Sequence, residues 1–135
     1  MTRTFLNADM LIAAARGTGV IAVHAHAILD DPERVFVTSD YLPMEVLPKA
    51  LYYRQSQEVL LYERFFSRAV QIVAPSVALM MQAYTEASTF GLAALDALHI
   101  AAAQCSGSEE FITTERPTTP LFRVPGSVIK TITLP

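Results

Sequence analysis

The spacing of apolar and polar residues changes repeatedly along this chain, and the changes mark its elements. Residues 4–6 form a short apolar run, which predicts a buried strand. Asp9 then stands where it would cap a helix over 10–16, and Gly17 and Gly19 end that pattern. The alanine-rich stretch 20–29 predicts a second short helix, closed by Asp30, Asp31 and Pro32. "RVFVT" at 34–38 is β-branched and aromatic and predicts a strand. Ser39 or Asp40 would cap one long helical stretch, in which Leu47, Ala50, Leu51, Leu60, Leu61, Phe65 and Phe66 recur mostly three or four apart. Pro43 and Pro48 suit the start of that stretch better than its middle.

"VQIVA" at 70–74 predicts a third strand, and Pro75 and Ser76 lead into a helix ending near Phe90, before Gly91. "LAALDALHIAAAQC" predicts one more helix, "EFITT" at 110–114 a strand, the proline-rich 117–125 a loop, and "VIKTITL" a last strand. Strands thus alternate with helices from end to end. This order predicts a single α/β domain over 1–135, a three-layer α/β/α sandwich around a central parallel sheet of four to five strands. In such sheets the working site lies beyond the carboxyl ends of the strands.

Composition narrows the choice. With 135 residues the chain is long enough for one ordinary domain, and 52% hydrophobic residues supply a full core. Ten basic and thirteen acidic residues leave a net charge of -3, which argues against a broad cationic footprint for nucleic acid. It does not exclude action on nucleic acid through metal ions, which bring positive charge of their own. Cys105 is the sole cysteine and reads as structural, so an internal disulfide and a cysteine-based metal site are excluded. Asn7, Asp9 and Arg16 interrupt the N-terminal apolar stretch, no run reaches signal or membrane length, and a cytoplasmic location with no membrane partner is expected.

The rule about strand ends picks out the acids. Asn7 and Asp9 follow the first strand, Asp40 and Glu45 the second, and Glu115 the "FITT" strand, while Asp96 stands in the middle of an apolar helix. Like-charged carboxylates brought together at ~4 Å repel by about 4 kcal/mol per pair at an effective dielectric near 20. A hard divalent cation turns that repulsion into binding, and one or two such ions can set water against a phosphodiester. Read on residues alone, the same acids are also ordinary helix caps.

"GLAALDALHIAAA" at 91–103, followed by "EFITTERPTTPLFRV" at 110–124, resembles the PIN-domain family, and "FLNADMLIAAARG" is similar to that family's opening segment. The resemblance implies an acid cluster binding Mg²⁺ or Mn²⁺, endoribonuclease activity on RNA, and, as in bacterial single-domain members, a VapC-type toxin restrained by an antitoxin protein. By position it implies Glu45, Asp96 and Glu115 as catalytic carboxylates, with the metal held by Asn7, Asp9, Glu45, Asp96 and Glu115. Residue 7 departs from the family, which has Asp there and commonly Asn two residues on; this chain reads "NAD". Three readings stay open: Asp9 takes over the metal, the site binds metal weakly and cleaves slowly, or the chain is an inactive relative or disabled variant. The last makes it a PIN-like binding module.

Other residues carry plainer expectations. His99 reads as a satisfied core histidine rather than one orienting a carboxylate, and Asp40 as a helix cap. Glu58, Glu63 and Glu86 read as solvated. Thr113 and Thr114 either end a strand or bring a hydroxyl near the metal. Arg116 and Arg123 read as surface charge before they read as phosphate contacts. His24 and His26 do not share a helix face. Tyr52, Tyr53, Leu60, Leu61, Tyr62, Phe65 and Phe66 are too broad a set for one core stripe, so part is expected to face a partner, either a second copy in a homodimer or an antitoxin segment.

Overall fold

The computed structural model describes residues 1–126 and 129–131. The order of elements is β1 (Thr2–Leu6), α1 (Ala8–Arg16), α2 (Gly19–Leu29), β2 (Arg34–Ser39), α3 (Tyr41–Tyr52), α4 (Ser56–Arg68), β3 (Gln71–Val73), α5 (Val77–Phe90), α6 (Ala94–Cys105), β4 (Glu110–Thr113), a 3₁₀ turn (Pro120–Arg123) and β5 (Ile129–Thr131). The strands form one parallel sheet in the order β3-β2-β1-β4-β5. The predicted α/β class and parallel sheet are what the chain adopts. Of the predicted last strand, 128 and 132–134 lie outside the described residues.

The topology fixes where a site can be. The chain winds outward from β1 through β2 to β3, then crosses back to place β4 on the other side of β1. Right-handed crossovers put α1 to α4 on one face of the sheet and α5 and α6 on the other. The winding reverses between β1 and β4, and the crevice beyond their carboxyl ends is the switch point of the sheet. β1 and β4 are the interior strands there, and the core confirms it. Phe5 and Phe111 stack at 5.6 Å with rings nearly parallel, under α6, and Phe36 packs against Phe65 of α4 on the opposite face.

Four local expectations are corrected. The long helical stretch is two helices, because the chain turns at Tyr53 to Gln55, with Arg54 at a positive φ of 53°. Pro48 lies inside α3 rather than at its start; it is exposed, and so is Met44, the residue whose carbonyl it leaves without a helical donor, so water can serve that carbonyl. The first helix begins at Ala8 and is capped by Asn7, not Asp9. Asp40 holds the N-cap position of α3 without a side-chain cap bond, while the Ser39 hydroxyl accepts from the Tyr41 N–H.

Glu58 is also not solvated. It shares the inward face of α4 with Tyr62 and Phe65 and is 6% exposed. Both its oxygens accept from Arg16 Nε of α1, and Oε1 also accepts from the Tyr62 hydroxyl at 3.0 Å. The Arg16 bond is what makes a carboxylate on a core face tolerable. A second buried acid, Glu110, sits at the amino end of the sheet, away from the switch point. It accepts from Arg34 Nε at 2.6 Å, Thr4 Oγ1 at 2.7 Å and Lys130 Nζ at 2.8 Å. Burial alone would push its carboxyl up, but these donors outweigh burial and hold it at about 2.

Candidate metal centre

The first functional segment is the turn out of β1. Asn7 is 3% exposed, and its backbone N–H bonds to Ile112 O of β4 at 2.9 Å, which locks the turn to the neighbouring strand. Its side-chain carbonyl accepts from the Ala8 N–H at 3.0 Å and so caps α1. Its NH₂ group donates to Asp9 Oδ2 and to Thr113 Oγ1, each at 3.3 Å. The amide orientation follows from its neighbours, since an N–H needs an acceptor on one side and a carboxylate needs donors on the other. The carbonyl of Asn7 is therefore committed to the backbone.

Asp9 lies one turn-step on, in the first turn of α1. Its Oδ2 accepts from the Thr113 hydroxyl at 2.7 Å and its Oδ1 from the Thr114 N–H at 3.1 Å. The Thr113 hydroxyl also accepts from the Glu115 N–H at 3.1 Å. Thr113 thus joins the ends of β1 and β4 and orients the chain into Glu115. Glu115 is part-buried, and its Oε2 accepts from Thr119 Oγ1 at 2.8 Å.

The third segment is α6. Gly91, at a φ of 72°, ends α5 in the left-handed conformation that suits glycine, and α6 starts at Ala94. Asp96 is therefore in the first turn of α6, not mid-helix as its apolar surroundings suggested. Glu45 reaches in from α3, where His99 Nε2 of α6 lies 3.0 Å from its Oε1. His99 is fully buried, so it is a core histidine, but among the described residues Nδ1 has no hydrogen-bond partner and the ring is only half satisfied.

Asp96 shows how these segments combine. Burial pushes its carboxyl up, the charges of Glu115, Asp9 and Glu45 push the same way, and only His99 opposes them; the result is about 6. Among the described residues no protein group donates a hydrogen bond to this carboxylate, in contrast to Glu110 with its three donors. Asp96 thus lies close enough to Asp9, Glu45 and Glu115 to feel their charges, at the carboxyl-end side of the sheet. Asn7 is there as a cap and clamp, and Asp40 stays exposed outside. Arg116 is exposed, and Arg123 donates to Phe90 O at 3.3 Å.

The donor set suits a hard cation. It is all carboxylate oxygen, with an unrelieved negative charge at Asp96, which is the environment Mg²⁺ or Mn²⁺ relieves. Among the described residues no group of three or more His, Cys, Asp or Glu side chains is arranged to hold a metal ion. Elsewhere, the partner face expected on α3 and α4 divides. Tyr52 and Tyr53 are exposed, and Tyr62 and Phe65 belong to the core. A broader apolar face, missed in the sequence, lies on α5, where Val77, Met80, Met81 and Tyr84 recur at helical spacing and are all exposed. Among the described residues no single helix is long and apolar enough to cross a membrane.

No family model and no curated protein matches the sequence. Solved structures do match the fold. The VapBC2 complex of Rickettsia felis, bound to a DNA fragment from its promoter, aligns with a TM-score of 0.72 at 15% identity, over 96% of this chain and 98% of that one. A toxin–antitoxin complex of Klebsiella pneumoniae aligns at 0.70 with 24% identity, over 93% and 95%. VapC20 of Mycobacterium tuberculosis, a toxin that cleaves the sarcin–ricin loop, aligns at 0.61 with 17% identity, over 80% and 86%. The chain has a PIN-domain fold of the VapC type.

Proposed function

We propose that this chain is a Mg²⁺- or Mn²⁺-dependent endoribonuclease, the toxin of a toxin–antitoxin pair. The observation that carries the reading is Asp96, raised to about 6 by burial and by the nearby charges of Glu115, Asp9 and Glu45, with no compensating hydrogen-bond donor among the described residues. A buried acid kept only for structure has donors of its own, as Glu110 has. Asp96, Glu45, Glu115 and Asp9 would hold the ion. When bound, it supplies positive charge for a phosphodiester and a water of lowered pKa. Thr113 and the Thr114 N–H orient Asp9, and Thr119 orients Glu115. Arg116, exposed next to Glu115 in sequence, would meet a substrate phosphate in this reading.

The partners belong to the same reading: RNA as substrate, an antitoxin protein, and a second copy of the chain in a homodimer. The structural neighbours captured as toxin–antitoxin complexes support the antitoxin, and the exposed apolar face of α5 supports a protein partner. The second reading is a PIN-like binding module without cleavage. One observation favours it, the neutral Asn7, whose carbonyl is turned to the backbone. Incubating the chain with RNA in Mn²⁺, in Mg²⁺ and in chelator separates the two. Cleavage in either ion, stopped by chelator, is the expected outcome; RNA left intact in both ions favours the binding module.

A further inference from the structure

We propose that His99 is a positioning residue that fixes the Glu45 carboxylate in the crevice, and that it is kept for the site rather than for the core. The inference rests on the metal-site reading above. His99 lies on the inner face of α6 among Ala97, Ile100 and Ala101, fully buried, with its ring 6.2 Å from that of Phe5. In this apolar setting Nε2 meets Glu45 Oε1 at 3.0 Å, and Nδ1 has no hydrogen-bond partner among the described residues. Either charge state of the ring leaves Nδ1 unpaired. A carboxylate accepts only, so the proton facing Glu45 is on Nε2. An unpaired buried polar atom costs stability, and a leucine would fill the same space without that cost.

The bond to Glu45 is thus the feature that singles out a histidine here. Two other acids of the crevice are likewise held by donors, whereas among the described residues Asp96 has none. Asp9 is held by Thr113, Thr114 and Asn7, and Glu115 by Thr119. Glu45 is 28% exposed on α3, and His99, 54 residues away in sequence, is its clamp. Holding a flexible glutamate in one rotamer lowers the entropy lost when it takes up a ligand.

Two variants of the full chain test this, His99→Leu, which keeps an apolar filler, and His99→Gln, which keeps an N–H at a similar reach. Each is titrated with Mn²⁺ alone by calorimetry and melted in chelator. The leucine variant is expected to bind Mn²⁺ about tenfold more weakly, to melt at or above the parent temperature in chelator, and to be rescued largely by glutamine. Unchanged Mn²⁺ affinity in His99→Leu overturns the inference. So does a leucine variant that melts well below the parent or fails to fold, because the histidine is then a core residue. Parent binding that Asp96→Asn abolishes and His99→Leu leaves intact overturns this inference alone. A parent chain that takes up no Mn²⁺ overturns the nuclease reading and this inference with it.

Discussion

Asp96→Asn is expected to abolish metal-dependent cleavage and, at the same time, to stabilise the metal-free fold. The two effects have one cause. In the folded chain the Asp96 carboxyl is raised from 3.8 to about 6, first by burial and then by Glu115, Asp9 and Glu45. The folded state therefore holds that proton more tightly than the unfolded state. Stability from this group is intact below pH 3.8 and is lost as pH rises through about 6. The full shift corresponds to at most ~3 kcal/mol, and solvent screening of a part-buried group reduces that to about 1 kcal/mol at neutral pH. Asparagine removes the charge and recovers that amount. With Mn²⁺ present the order reverses, because only the parent gains stability from the bound ion. Cleavage falls on the order of 10²-fold or more, since losing a ligand costs at least what losing its support does. Chemical denaturation at pH 5 and pH 8, with and without Mn²⁺, and a cleavage assay check both halves. An acid that merely supports the fold would lose stability on substitution, and ion addition would not reverse the order.

Asn7→Asp is expected to tighten Mn²⁺ binding and speed cleavage by about tenfold or more, while weakening the metal-free protein. Aspartate caps a helix as well as asparagine does, so α1 keeps its start at Ala8. What changes is the side facing Asp9. The two N–H bonds to Asp9 and Thr113 disappear, and two carboxylates come to face each other. Without metal, that repulsion costs about 1–2 kcal/mol. With a divalent ion it becomes attraction, and each 1.4 kcal/mol gained is a factor of ten in affinity. Thermal melts with and without Mn²⁺, calorimetric titration and cleavage assays on parent and variant are the measurements. A variant that binds and cleaves no better than the parent would mean that the charge at residue 7 is not what limits this site.

The sheet was legible because β1 and β4 lie inside it and carry the buried pairs Phe5–Leu6 and Phe111–Ile112, and because helices separate the first four strands from one another. Asp9 and Glu115 could be placed near one edge from sequence because each closely follows a strand of a parallel sheet, whereas Glu45 and Asp96 come in on α3 and α6. The rest depended on contacts that no local pattern records. Glu58 has the composition of a solvated helix position and becomes buried only because Arg16, far along the chain, folds onto it. Asn7 and Asp9 are both good caps, and the turn locked to Ile112 decides between them. The link from His99 to Glu45 spans α6 and α3, whose adjacency is set by the crossover and not by either helix. The face on α5 was readable as a three-four spacing of Val77, Met80, Met81 and Tyr84, and was missed because it resembles a core stripe until the sheet is seen to lie on the other side.

The most direct test is a crystal soaked in Mn²⁺ near neutral pH, with the ion located by its anomalous signal. An ion ligated by Asp96, with Glu45, Glu115 or Asp9 alongside it, is the predicted result. A crevice free of manganese, or manganese bound elsewhere while Asp96 touches none, would contradict the account.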